Sequence, residues 1–394
     1  MSVEYLIISE SGRALAASAK NAGYEVSVID RYADRDTVAL SRSIHRYEGL
    51  HLADFLNDIE SYSYLQKLIK YSVKSGSNIT AIIGSGFEKR PEQIEIIRKY
   101  MPIISNSVKT INLAKDPMKL GKLLAKKSIN YPFSTINKND FCSEKEFLIK
   151  ELGAMGGGHV SVNSNSLLRK TLFDKKYYYQ EYIKGTVCSV VFLANQKTAQ
   201  LIGINELIKP TQFLTKPFLY EGAVTVNLQD KKFSDEIYRI ITEVTKLSKL
   251  SGLCGIDFII NKSGIIYIID INPRPPATFE LYEDEGHLFQ NHLDCFQGRL
   301  PEYMPHNLNK LKGHAIYYAK KDIIAHSLPS FPDWVSDIPA PKKSKNNLEM
   351  KYEILAGNPV CTIYAEGVST TEVKNLLNQR LNEIELSIKS INKL

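Results

Sequence analysis

The sequence predicts an α/β fold in which a strand–helix alternation gives way to a strand-rich second half, and three observations carry that reading. The apolar runs "VEYLIIS" (3–9), "YEVSVID" (24–30), "NITAIIGSGF" (78–87) and "IISN" (103–106) read as strands. They alternate with helical-period segments at 12–23, 52–74 and 91–101. That spacing yields a parallel sheet with helices on both faces. The stretch 186–272 is rich in strands around one clear helix at 234–250. Within it, "CGIDFIINKSGIIYIIDINPR" (254–274) reads as a hairpin whose two apolar strands each carry an aspartate.

A chain of 394 residues is too long for one ordinary core, so about two to four domains are expected. The pattern shifts place boundaries near 112, 185 and 300, giving segments 1–112, 113–185, 186–300 and 301–394. "DPMKLGKLLAKKSI" (116–129) has the marks of a helix start, an Asp cap followed by Pro. Beyond residue 300 the chain has more prolines, the single Trp334 and a last helix at 370–391.

The charge balance is mild: 50 basic against 43 acidic residues leave +7. This favours anionic small molecules only weakly. The densest basic run, "PKKSK" (341–345), reads as a solvated loop, and nothing resembles a nucleic-acid arm. Five cysteines, at 142, 188, 254, 295 and 361, lack metal-ligand spacing and suit the reduced thiols of a cytoplasm. The start "MSVEYLIISES" is acidic where a signal peptide would be basic, and no apolar stretch approaches the roughly 18 residues of a membrane span. A cytoplasmic protein with no membrane or nucleic-acid partner is the expectation.

The hairpin carries the chemistry. With a turn at 261–264, Asp257 falls opposite Ile268, and Ile268, Asp270 and Asn272 share the face of Asp257. Asp270 is then its diagonal neighbour, roughly 7–8 Å away. The other face, with Cys254, Ile256, Phe258, Ile260, Ile265, Tyr267, Ile269 and Ile271, reads as core. Close, unpaired carboxylates repel, and burying them costs several kcal/mol. A divalent cation relieves both problems, and an all-oxygen set suits Mg²⁺ completed by substrate phosphates. Arg274, directly after Pro273, could grip a phosphate or a developing acyl-phosphate charge. The competing reading is an exposed hairpin face with solvated acids.

Lys150 ends the apolar run "FLI", and Gly153, Gly156, Gly157 and Gly158 follow within eight residues. Glycines let backbone N–H groups close on phosphate oxygens, and a lysine adds a point charge. The pattern is neither a Walker loop nor a dinucleotide fingerprint, and a flexible hairpin tip fits it equally. In "YQEYI" (179–183), backbone groups near Gln180 to Ile183 could read an adenine edge, or the segment is an ordinary strand.

In this order, these pieces resemble the ATP-grasp superfamily, whose members include biotin carboxylase, D-alanine–D-alanine ligase and glutathione synthetase. The resemblance covers about residues 1–300, and "IKELGAMGGGHV", "QEYI" and "DINPR" carry it. It implies an N-terminal Rossmann-like (pre-ATP-grasp) domain, a lid subdomain and a C-terminal α+β ATP-grasp domain. It further implies ATP with Mg²⁺, with Mn²⁺ as the alternative ion. Lys150 would meet the phosphates, Gly156, Gly157 and Gly158 would form the lid, and Gln180 would meet the adenine amino group. Glu181 and Ile183 would offer backbone contacts to adenine. Asp257, Asp270 and Asn272 would hold the metal, and Arg274 would sit by the transferred phosphoryl group. One departure stands out: where many relatives carry a second ATP lysine, this chain has Pro117, with Lys115 two residues earlier as its substitute.

A narrower resemblance is to a group of predicted carboxylate–amine ligases that includes the tyramine–glutamate ligase of methanofuran biosynthesis. It rests on "SGRALAASAKNAGYEVSVIDRYADRDT", "INPRPPATFELYE", "WVSDIP" and "AGNPVCTIYAEG". It implies amide formation through an acyl phosphate, releasing ADP and phosphate, from small-molecule carboxylate and amine substrates. A homodimer is the assembly that the resemblance allows. The alternatives are an ATP-binding protein without ligase chemistry, an ATP-dependent carboxylase, and a non-catalytic sugar- or peptide-binding module. Ser9, Ser11 and Arg13 follow the first strand, where parallel strands open on a ligand crevice, and are candidates for gripping the acceptor or simply a strand-to-helix cap. His287 and His292 read as structural.

Overall fold

The computed structural model describes residues 4–48, 51–75, 78–140, 146–162, 177–212, 216–227, 230–301, 310–343 and 349–391. The N-terminal part is a five-stranded parallel sheet. Its strands run Ser43–Arg46, Glu25–Asp30, Glu4–Ile8, Ile79–Ile83 and Ile103–Ile104 across the sheet. Helices cover both faces, so the central strand is apolar throughout, with Leu6, Ile7 and Ile8 wholly buried.

Two elements here escape a periodicity reading. The helix Arg35–Leu40 is only six residues long and rests on its cap, the Asp34 carboxylate accepting from Thr37 N at 2.8 Å. The edge strand Ser43–Arg46 is polar because it is half exposed. The helix expected at 52–74 is divided in two, a 3₁₀ turn Leu52–Asn57 and an α-helix Ile59–Ser75. Asp58 restarts it, accepting from Ser61 N at 2.8 Å.

A four-stranded sheet follows, ordered Ser134–Thr135, Tyr177–Glu181, Phe147–Glu151, Ser161–Val162. The chain breaks at residues 182–184 between two strands: Tyr177–Glu181 belongs to this small sheet and Gly185–Asn195 to a large one. A side chain at Gly185 would lie 2.2 Å from the Ile260 carbonyl oxygen, so only glycine lets the second strand begin there.

The large sheet has eight antiparallel strands. In spatial order they are Ile266–Asn272, Ser251–Asn261, Gly185–Asn195, Ala199–Leu207, Gly222–Val226, Leu311–Tyr318, Pro359–Gly367 and Val335–Ser336. It therefore takes strands from both sides of residue 300, joined where Gly222–Val224 pairs with Gly313–Ala315. Helix Lys231–Ser248 buries Ile237, Ile240, Ile241 and Val244 on one face, and helix Thr370–Ile391 covers the tail strands through Val373, Leu377, Ile384 and Ile388. Helix His287–Phe296 is sandwiched between the two sheets. Its Leu288, Phe289 and Leu293 share a core with Tyr5 and Ile7 on one side and with Val191, Leu193 and Leu253 on the other. His292 is buried in that core, where its Nδ1 accepts from Leu253 N at 2.9 Å. Trp334 lies under the Arg380 guanidinium at 4.8 Å.

The four described cysteines, 188, 254, 295 and 361, are buried free thiols; Cys142 lies outside the described residues. Among the described residues no helix is long and apolar enough to cross a membrane.

Candidate active site

The acid hairpin is built as expected but in a different register. Asn261 and Ile265 close its turn, with Asn261 N donating to Ile265 O at 3.0 Å. From there Ile260 faces Ile266 and Phe258 faces Ile268; a bulge then intervenes, and Asp257 faces Asp270 directly. The extra residue inverts the alternation. Ile266 and Ile268 are core residues beside Phe258, and past the bulge the core position passes to Ile271 beside Ile256. The expected face assignment is corrected accordingly. Ile268 belongs to the core, whereas Ile265 is 41% exposed and Tyr267 and Ile269 are half-buried. The consequence strengthens the site: the two carboxylates are not diagonal but opposite, about 4.5–5.5 Å apart at Cβ.

That proximity has an electrostatic signature. Burial first, and Asp270 second, push the Asp257 carboxyl up to about 6. Asp270 is relieved by Lys115, whose Nζ donates to both its oxygens at 2.8 Å. Lys115 reaches in from the position before Asp116, the cap of the helix Pro117–Ala125. Asn272 bridges the next pair, with Nδ2 donating to Asp257 Oδ2 at 3.4 Å and Oδ1 accepting from Arg274 Nη2 at 3.4 Å.

Arg274 is aimed by a residue that the sequence reading missed. Its Nε donates to Glu88 Oε1 at 2.8 Å. Burial would raise the Glu88 carboxyl, but Arg274 and Lys115 outweigh it and hold that group below the usual range. Glu88 follows the N-terminal sheet's strand Ile79–Ile83, in "GSGFEKR", and only its place at the carboxyl end of a parallel strand could have singled it out. Asn106 was missed as well: its Nδ2 donates to the Pro273 and Ser251 carbonyls at 2.9 Å, fixing the proline beside Arg274.

Lys150 lies across from Tyr178 in the small sheet. It is only 9% exposed. Burial lowers its ammonium to about 8 despite the opposing pull of Asp270 and Asp257. The glycine loop arches from this strand to the large sheet. Gly156 O accepts from Tyr220 N at 2.9 Å, and a side chain at Gly157 would lie 1.7 Å from the Phe218 carbonyl oxygen. Gly153, Gly156 and Gly157 have φ near +70°; Gly158 does not. Gln180 is buried, its Nε2 donating to Ser134 Oγ at 3.1 Å, and Glu181 N donates to Phe133 O at 2.8 Å. Ile183 lies in the link between the small and large sheets.

The three acceptor candidates are not brought together. Ser9 is buried, its Oγ accepting from Ser85 N at 3.2 Å, and Ser11 is exposed. Arg13 enters a buried network instead. Its Nε donates to Asp337 Oδ1 at 2.7 Å, and Nη2 donates to Tyr364 Oη at 2.6 Å and to Glu280. Glu280 also meets His314 Nδ1 at 3.0 Å. Burial would raise the Glu280 carboxyl, but Arg13 and His314 hold it down at about 2. Glu280→Gln should therefore cost about 1–3 kcal/mol, because Arg13 and His314 lose a shared carboxylate and Arg13 keeps only Asp337 as its charged partner. Urea unfolding measures this, and an unchanged midpoint would refute it.

Residues 114–278 match the family model described as the ATP-grasp domain. That stretch is an ATP-grasp domain. The chain is 27% identical over 390 residues to an uncharacterised protein of Methanocaldococcus jannaschii, covering 96% of this chain and 91% of that one. It is 32% identical over 136 residues to the tyramine–L-glutamate ligase of the same organism, covering 34% of this chain and 37% of that one. Among solved structures, a biotin carboxylase–ATP-analogue complex from Campylobacter jejuni superposes with a TM-score of 0.70 at 15% identity. The match covers 97% of this chain and 91% of that one, a likeness of fold.

The donor set fits a hard divalent ion of the kind the ATP-grasp superfamily uses. Two facing carboxylates, one of them raised by burial and then by its neighbour, are relieved by a cation, and Asn272 adds an amide group. Among the described residues no group of three or more His, Cys, Asp or Glu side chains is placed to hold a metal. An ion here would therefore draw its remaining ligands from phosphate and water.

Proposed function

We propose that the protein is an ATP-dependent carboxylate–amine ligase that forms an amide through an acyl phosphate and releases ADP and phosphate. The observation that carries this reading is the convergence of Asp257, Asp270, Lys115, Arg274 and Lys150 beneath a glycine loop. Lysine and arginine side chains gathered beside carboxylates able to hold a divalent ion suit a polyphosphate that brings its own negative charge. The partial likeness to tyramine–L-glutamate ligase supports glutamate as the acid and an aromatic amine such as tyramine as the acceptor.

Asp257, Asp270 and Asn272 would hold Mg²⁺, or Mn²⁺ in its place, and the ion would neutralise charge on the β- and γ-phosphates. Lys150 and Lys115 bind phosphate oxygens. The glycine loop excludes water, which would otherwise hydrolyse the acyl phosphate. Gln180, Glu181 and Ile183 border the adenine. Arg274, aimed by Glu88, stabilises charge on the phosphoryl group in flight and on the acyl phosphate. Arg274→Ala should thus lower kcat about 10²–10³-fold while changing ATP affinity several-fold at most. A defect confined to ATP binding would remove this role.

The second reading, favoured by the biotin carboxylase fold likeness, is ATP-dependent carboxylation. Measuring ADP release over amino acids and small amines, tyramine with glutamate first, separates the two. Release that needs both an acid and an amine supports the ligase, and release that needs bicarbonate supports the carboxylase. No release under any of these conditions leaves an ATP-binding protein without ligase chemistry.

A further inference from the structure

His159 follows the glycine loop and precedes the lid strand Ser161–Val162. Its Nδ1 is buried and accepts or donates no hydrogen bond. The backbone of Met155 lies near enough to the ring to favour its protonated form. A neutral imidazole with its proton on Nε2 presents a bare lone pair on Nδ1. The charged groups around the ring are Lys150, Asp270 and Glu151, two of them in the site described above.

A bare lone pair has a definite preference. It repels phosphate oxygens and carboxylates, so His159 in this tautomer is no phosphate ligand. It attracts an N–H or O–H, and the one reactant of an amide ligase that must lose a proton is the amine. Building on the ligase reading, we propose that His159 Nδ1 takes the proton from the amine as it attacks the acyl phosphate. The amine nitrogen bonds to the acyl carbon, the carbon–oxygen bond to phosphate breaks, and phosphate leaves with that bonding pair. The proton on the nitrogen passes to Nδ1, giving an imidazolium that returns the proton to solvent when the lid opens.

The timing follows from the neighbours. Burial first, and Lys150 second, hold the imidazole at about 4 in the ligand-free chain. Bound phosphates would cancel the Lys150 charge, so His159 gains basicity only when nucleotide is present. The same side chain could instead serve only to brace the loop through Met155, and the test separates these roles.

The experiment uses His159→Ala and His159→Gln in the full chain with Mg-ATP and glutamate. Two nucleophiles are compared: tyramine, and hydroxylamine, which is largely unprotonated near neutral pH and traps acyl phosphates without a base. Hydroxamate formation should stay within about threefold of the parent while amide formation falls about 10²–10⁴-fold, the range of general-base catalysis. Equal losses with both nucleophiles, or no loss with either, would overturn the assignment to His159 and leave the ligase reading standing. Failure of the parent protein to form hydroxamate or amide would overturn the ligase reading and this inference with it.

Discussion

Asp270→Asn should reduce Mg-dependent ADP formation by about 10³-fold. The side chain does two things at once. It faces Asp257 across the hairpin, and it holds the Lys115 ammonium with both oxygens at 2.8 Å. An amide keeps the shape and one acceptor but removes the charge that a divalent ion and Lys115 both require. The fold should survive, because the carboxylate is partly exposed and its loss relieves the repulsion that helps raise Asp257. Thermal unfolding beside an ADP-release assay reads both effects. Turnover at the parent rate would remove Asp270 from any metal role.

Lys150→Met should have opposite effects on function and stability. Nucleotide binding loses a buried phosphate contact, and Kd for Mg-ATP should rise about 10²-fold. The ligand-free protein should become more stable. Lys150 has its folded value lowered to about 8 against 10.5 for an ordinary lysine, so the folded state resists carrying this proton. Below pH 8 both states are protonated and the whole cost of burying the charge is present. As pH rises from 8 towards 10.5 the folded state sheds the proton first, and the cost fades. Linkage puts this cost on the order of 3 kcal/mol. The gain from methionine should thus be full at neutral pH and vanish near pH 10.5. A destabilised Lys150→Met protein, or a gain independent of pH, would contradict this account. A cost held in the resting state and recovered when phosphate arrives is how a binding site stores strain.

The fold and the site differ in how much of each could be read from residues alone. The parallel sheet was legible because its strands are continuous apolar runs, and the hairpin because aspartates interrupt two of them. The register was not, since a bulge leaves no mark in apolar alternation when isoleucines occupy both phases, as in Ile268 and Ile269. The break at residues 182–184 was hidden for a similar reason: strands on either side have the same composition, and only their sheets differ. Glu88 and Asn106 act over separations of more than a hundred residues, through Arg274 and Pro273, which local spacing cannot register. Arg13 was legible as a polar residue at a strand end, but its ion-pair partners come from Glu280 and Asp337, far along the chain.

The continuity of the large sheet past residue 300 has a consequence for how this protein can be taken apart. Its aspartate hairpin and its tail strands belong to one hydrogen-bonded ribbon, joined through Gly222–Val226. A deletion ending near residue 300 would not release an intact half. It would bare the edge of Gly222–Val226, whose Ala223 and Val224 are fully buried, as an adhesive surface for other chains.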